Sequence, residues 1–337
     1  MIDQGIAGTE EAALVDRCLA VGIRPLWKNP VAHGGNRRRA EPMVWPWRAV
    51  APLIDGATAV TSMDALERRV LSLVDPAYAD NGSATTRNLN AGFQILLPGE
   101  RARPHRHSMN AIRFVVEGNG ATTMVDGKAC PMNFGDLILT PAWTWHDHVH
   151  SGSQRIVWLD VLDGQLHRYL ETDVFEPGPI HDLTPLPSDA AFGFASMLPE
   201  GAYGGNSPVF HYPWTVAREA LAAAPRGTDG MRRVRYINPA TGGAVTSLLD
   251  CVLWQIEAGT ATRNVSTSAH AVCTVVEGTG TSQIGERSIA WGPRDVFTVP
   301  AGEIARHVAH GETARLFVVS DREVLRRLDL LTERTHD

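Results

Sequence analysis

The stretch RARPHRHSMNAIRFVVEG, residues 101–118, sets two imidazoles, His105 and His107, two residues apart just ahead of an apolar run. Side chains two apart on a β-strand point to the same face, so this pair can share one ligand. A second stretch, TPAWTWHDHVH (140–150), brings His146, His148 and His150. The run DLILTP turns at Pro141, and AWTWH carries His146 near its end. If the two strands are neighbours, His105, His107 and His146 converge on a point roughly 2.0–2.2 Å from each nitrogen, an ordinary metal–imidazole distance. A lone buried histidine is more often a hydrogen-bonded core residue. The HxH pair, the Gly-bounded unit and a third histidine after Pro-x-Trp-x-Trp together point to a metal. Imidazole suits iron, zinc, copper and nickel alike.

Working outward, short apolar or alternating runs (GFQILLP, IRFVVEG, DLILTP, RIVWLDVL) separated by Gly and Pro read as an all-β sandwich or barrel. VDGK (125–128) is a hairpin turn, since Asp-Gly suits the positive-φ positions of a type I′ turn. The unit VVEGNGATTMVDGKACPMNFGDLILTPA (115–142) recurs as VVEGTGTSQIGERSIAWGPRDVFTVPA (275–301). Two copies of one β-unit imply two similar domains. Three helices are expected. The first spans 10–23 with Thr9 as cap, and the second spans 62–75 with Met63, Leu66, Val70 and Leu73 on one stripe. The third, near the C-terminus, opens on a Ser320/Glu323 capping box. Residues 172–225, rich in Pro and Gly, read as a connector.

The chain of 337 residues is long enough for two cores, and a net charge of −6 gives no reason to expect nucleic acid. The one basic cluster, GGNRRRAEP (34–42), reads as a solvated loop. Cys18, Cys130, Cys251 and Cys273 lack CxxC or CxxH spacing, which argues against a zinc knuckle or a disulfide framework. No signal-peptide pattern and no apolar run of ~18 residues is present, so a cytoplasmic protein is expected.

PGERARPHRHSMNAIRFVVEGNG and GDLILTPAWTWHDH resemble the two consensus motifs of the cupin superfamily. The chain resembles the bicupin ring-cleaving dioxygenases of the gentisate and salicylate 1,2-dioxygenase group, from about Leu66 to Val319 and most sharply over 92–162. The fold this implies is two cupin β-barrels (jelly rolls) with short flanking helices. Residues 1–90 would pack on the barrels, 91–171 form the metal-bearing cupin and 172–225 the connector. Residues 226–320 form a second cupin and 321–337 a C-terminal helix and tail. Many cupins carry a glutamate four or five residues past the second histidine. Ala111 or Ile112 stands there, leaving three histidines and no carboxylate, as in the resembling dioxygenases, which use Fe(II). The resemblance implies oxidative opening of an o-hydroxybenzoate, gentisate or a 5-substituted salicylate such as amino- or nitrosalicylate. The bond cleaved lies between the carboxyl- and hydroxyl-bearing carbons, with both atoms of O₂ incorporated. It also implies a homo-oligomer, commonly a tetramer. A metal-dependent cupin isomerase or epimerase, or a non-enzymatic bicupin, is the alternative.

Around the metal, Arg113 stands six residues after His107, and even spacing would put it on the same face. Its partner would be a substrate carboxylate or superoxide or, in the plainer reading, Asp160 or Glu117. The resemblance gives Arg69 a contact to the substrate carboxylate, with Arg68 equally able to fill that place. It makes His148 a pocket acid/base or oxygen-positioning group, and it puts Asp160 and Gln94 at pocket positions. Asn90 adds polarity where relatives tend to carry apolar or aromatic residues. Trp143 and Trp145 would pack the barrel mouth, and His150 and His167 would lie at the surface. In the second copy the ligand places become Val265, Thr267 and Ala305, with His270 and His307 nearby, so no second metal is expected.

Overall fold

The computed structural model describes residues 4–25, 27, 40–183, 186–193, 197–201 and 205–337. Residues up to Ala40 form one unit and Glu41–Asp337 another. In the first, a helix spans Gln4–Ala20, so Thr9 lies inside it rather than capping it. Residues 34–39 of the basic cluster lie outside the described residues.

The second unit is all-β at its centre, as expected. A six-stranded sheet runs in the order His211–Tyr212, Leu137–Thr140, Ala111–Glu117, Ile156–Leu162, Asn90–Leu96, Val70–Leu73. A five-stranded sheet faces it, ordered Phe175–Pro177, Arg101–His107, His146–His150, Asn119–Val125, Lys128–Asn133. The turn between the last two has Asp126 at φ 43° and Gly127 at φ 80°, the left-handed pair the Asp-Gly sequence calls for.

The second copy repeats this plan in one nine-stranded sheet. Its long strands Ala271–Ile284 and Ala305–Ser320 each run through what the first copy divides into two, with the register shifting around Glu277. The glycine of each VVEG sits at the bend: Gly118 at φ 84° and Gly278 at φ 83°. A side chain at either would meet the backbone of the adjacent strand, at Arg155 and Ala314 respectively. The repeated glycine thus serves both conformation and close approach. The barrels share a core, where Phe114 stacks on Phe317 with ring centroids 4.1 Å apart.

The repeat extends beyond the VVEG unit. VWPW (44–47) and HYPW (211–214) each form a short strand, a proline and a helix, the helices being Trp47–Val60 and Trp214–Ala223. The arm that precedes the first barrel pairs with the second, Val44 opposite Phe297. The arm that precedes the second barrel pairs with the first, His211 opposite Ile138. Each helix begins on an aspartate of the barrel it joins: the Trp47 N–H donates to Asp295 Oδ1 at 2.6 Å, and the Trp214 N–H to Asp136 Oδ1 at 2.8 Å. Neither helix has a capping side chain of its own, because proline precedes it. The aspartate common to both repeats is therefore a cap supplied in exchange between the two halves.

Two helix expectations fail. Residues 62–75 are not helical: turns lead into the strand Val70–Leu73, which pairs with Asn90–Leu96, Leu71 opposite Phe93. Met63, Leu66, Val70 and Leu73 match a helical stripe by spacing, but the long-range ladder overrides it. The Ser320/Glu323 capping box does not form. Ser320 ends a strand, the helix is Arg322–Arg327 with Asp321 at its cap, and the Glu323 carboxylate is held by Arg326 and Arg327. The tail is a strand, Glu333–His336, paired with Asn264–Thr267. The connector is likewise structured in part, through Phe175–Pro177 and the second arm.

Candidate metal centre and substrate cavity

His105 and His107 lie on the strand Arg101–His107, and His146 sits directly opposite His105 on His146–His150. All three are buried. Each Nδ1 is tied to a carbonyl two residues away: His105 to Arg103 O at 2.9 Å, His107 to Met109 O at 2.8 Å, His146 to Thr144 O at 2.9 Å. A carbonyl accepts only, so each Nδ1 carries the proton and each Nε2 keeps its lone pair. The three donor atoms lie within 4.8 Å of one another. Nε2 of His107 and of His146 is buried with no hydrogen-bond partner, a cost that a metal removes. Burial, followed by the charge of Arg68, holds His105 down at about 3. Burial, followed by Arg113, does the same to His107, also to about 3. His146 is held well below the usual range by burial and Arg113. All three are neutral donors at pH 7, as metal ligation requires. The donor set fits a metal.

Arg113 is fully buried behind this triad. Its Nε lies 3.2 Å from Asp160 Oδ1, and its Nη1 donates to the Thr140 hydroxyl. Asp160 stands directly opposite it on the neighbouring strand. The even-spacing argument from His107 does not apply, because a turn separates their strands. His148 is also buried. Its Nδ1 is 2.8 Å from Thr123 Oγ1, which also lies 3.1 Å from Met132 Sδ. Its Nε2 is buried without a hydrogen-bond partner. Burial and Arg113 keep His148 neutral.

A cavity of about 460 Å³ opens in front of His107. Gln94, Asp160 and Met109 line it, as do Ser72, Ser83 and Asn90. The Gln94 Nε2 is buried and unpartnered. Asn90 Nδ2 donates to Ser83 O at 2.8 Å. Arg68 lines the cavity; Arg69 does not. Arg69 instead forms a two-pronged pair with Glu100, at 2.7 and 2.8 Å, and bonds to Thr61. Phe175, on the returning connector strand opposite His107, stacks on the His105 ring at 5.2 Å. No motif marks this residue in the sequence; only the return of the chain brings it there.

The remaining expectations divide. Trp145 is buried and Trp143 half exposed, with Arg106 over both rings. His150 is not at the surface: it is buried, its Nε2 2.6 Å from Gln154 O. His167 is partly buried near Asp163. In the second barrel Val265 stands opposite Ala305, the register His105 and His146 hold in the first, and neither can bind a metal. His307 reproduces His148 instead, with Nδ1 2.7 Å from the Ser282 hydroxyl.

The chain is similar to several known proteins. Residues 92–162 match the cupin domain family. The chain is 34% identical over 325 residues to gentisate 1,2-dioxygenase 1 of Aquipseudomonas alcaligenes, covering 92% of each chain. It is 36% identical over 278 residues to a 1-hydroxy-2-naphthoate 1,2-dioxygenase of Nocardioides, covering 80% of this chain and 72% of that one. The fold superposes on the crystal structure of salicylate 1,2-dioxygenase from Pseudoaminobacter salicylatoxidans with gentisate at a TM-score of 0.89. That match has 28% identity and covers 97% of this chain and 94% of the other. With its buried trio of imidazoles, its doubled barrel and this likeness along nearly its whole length, the chain belongs to the ring-cleaving 1,2-dioxygenases of the bicupin gentisate and salicylate dioxygenase family.

Proposed function

We propose that this chain is an Fe(II) dioxygenase that opens the ring of an o-hydroxybenzoate, gentisate or a 5-substituted salicylate, between its carboxyl- and hydroxyl-bearing carbons. The observation that carries this reading is the convergence of three neutral imidazoles, two with orphaned Nε2 atoms, beside a cavity that offers a guanidinium. His105, His107 and His146 would hold the iron, which would supply open coordination and pass electrons from the substrate to O₂.

The chain's own groups supply the rest. Arg68, taking the place expected of Arg69, pairs with the substrate carboxylate. Asn90 and Ser83, which line the cavity, would offer hydrogen-bonding groups to a polar substituent at the 5 position. Gln94 Nε2 donates to a substrate oxygen, and His148 Nε2 accepts the phenolic proton. Arg113 and Asp160 act as a fixed pair that orients these groups rather than as a carboxylate receptor.

The test is anaerobic loading with Fe(II), then oxygen-electrode assays across salicylate, gentisate, 5-amino- and 5-nitrosalicylate and 1-hydroxy-2-naphthoate. One O₂ consumed per ring opened is expected, fastest with a polar 5-substituent. Iron-loaded protein that consumes no O₂ with any of these would refute the proposal.

A further inference from the structure

Of the two arginines that line the cavity, Arg68 and Arg168, Arg68 stands beside a metal ligand. Arg68 Nη1 lies 3.3 Å from His105 Nε2, the lone pair a metal would take. The guanidinium also lies against Phe175, its Cζ 5.1 Å from the ring centroid, and Phe175 in turn stacks on His105. Arg113, which is buried, has its charge offset by Asp160. Arg68 lies against a neutral imidazole and a phenyl ring, and its charge also acts on Asp160. Glu67 and Asp173 line the same cavity and temper that field.

We propose that Arg68 links metal and substrate by acting on them with opposite sign, opposing the cation at His105 and attracting the anionic substrate. The inference rests on the substrate class proposed above. The His105 Nε2 lone pair can be shared with Arg68 or with a metal, not with both. A bound metal therefore displaces the guanidinium, and a carboxylate in the cavity offers it a stronger, charge-assisted partner. Metal binding then raises affinity for the anion, and by linkage the anion raises affinity for the metal by the same factor. The arrangement complements the all-histidine ligand set. With no carboxylate ligand to neutralise the ion, the substrate supplies the negative charge and Arg68 penalises the ion in its absence.

The experiment measures two equilibrium constants under anaerobic conditions, neither of them an activity. Iron affinity is read by dialysis against buffered free Fe(II) with elemental analysis. Salicylate affinity for the iron-loaded protein is read by calorimetry. Arg68→Met keeps the apolar contact with Phe175 and removes the charge. It should bind iron about five- to tenfold more tightly in the absence of salicylate and bind salicylate about tenfold more weakly. Arg68→Lys should return both constants toward wild type. If Arg68→Met does not fold, Arg68→Gln reads the same pair. Weakening of both ligands, or no change in iron affinity, would overturn the proposal. Wild-type protein that binds no o-hydroxybenzoate would instead refute the substrate class, while the iron arm still decides what Arg68 does to the metal.

Discussion

Asp160→Asn leaves the shape of the site nearly unchanged and removes one charge, so it isolates what holds Arg113. Arg113 is 2% exposed and its Nε lies 3.2 Å from Asp160. Removing one partner of a buried pair strands the other, at a cost of about 3–5 kcal/mol. That is a large share of the roughly 5–15 kcal/mol by which a folded domain is stable. The uncompensated guanidinium also faces His107, His146 and His148, whose protonation its charge already opposes. A cation at the triad would meet the same field, so iron affinity should fall with stability. The assay is urea unfolding of wild type, Asp160→Asn and the double variant Arg113→Met/Asp160→Leu, with iron content measured on each. The double variant should recover at least half of the lost stability, because an apolar pair leaves no buried charge. A loss below about 1 kcal/mol in Asp160→Asn would show that Arg113 has another partner and refute the fixed-pair reading.

Replacing His105, His107 or His146 by Ala should each reduce bound iron to a small fraction of one per chain, whereas Val265→Ala and Thr267→Ala should leave it unchanged, read by elemental analysis. Asp295→Ala removes the acceptor for the Trp47 N–H and should destabilise the protein by about 1–2 kcal/mol in urea unfolding, as should Asp136→Ala for the Trp214 helix. His307 is held down to about 4 by burial, whereas an unfolded histidine titrates near 6.5. The unfolded chain therefore binds the extra proton, and stability present above pH ~6.5 is lost as pH falls toward 4. His307→Gln should flatten that loss by up to one proton, measured as urea midpoint against pH.

The metal trio was readable because its signal is local. His105 and His107 obey the two-residue period of one strand, and Pro141 sets where His146 emerges. The VVEG repeat likewise announced two barrels, since its glycine answers the same backbone demand twice. What failed was decided at long range. Residues 62–75 satisfy a helical period, yet their pairing partner lies some twenty residues downstream, so local spacing could not reveal the strand. Arg68 and Arg69 stand just before that strand, where Arg68 lines the cavity and Arg69 is taken up by Glu100. Parity also misled at Arg113, where counting from His107 crosses a turn and carries no information about facing. Asp160 was named as its plainer partner and is the partner observed. Phe175 had no motif because it reaches His105 only through the returning connector. The exchange of the two arms was spelled in VWPW and HYPW, but a shared Pro-Trp becomes meaningful only when each helix is seen to start on the other half's aspartate.

The most direct test of the account is an anomalous difference map recorded at the iron absorption edge from crystals grown with Fe(II). The account predicts one peak per chain, bounded by the Nε2 atoms of His105, His107 and His146, and none beside Val265, Thr267 and Ala305. A peak elsewhere, or three rings turned away from an empty centre in iron-replete crystals, would contradict it.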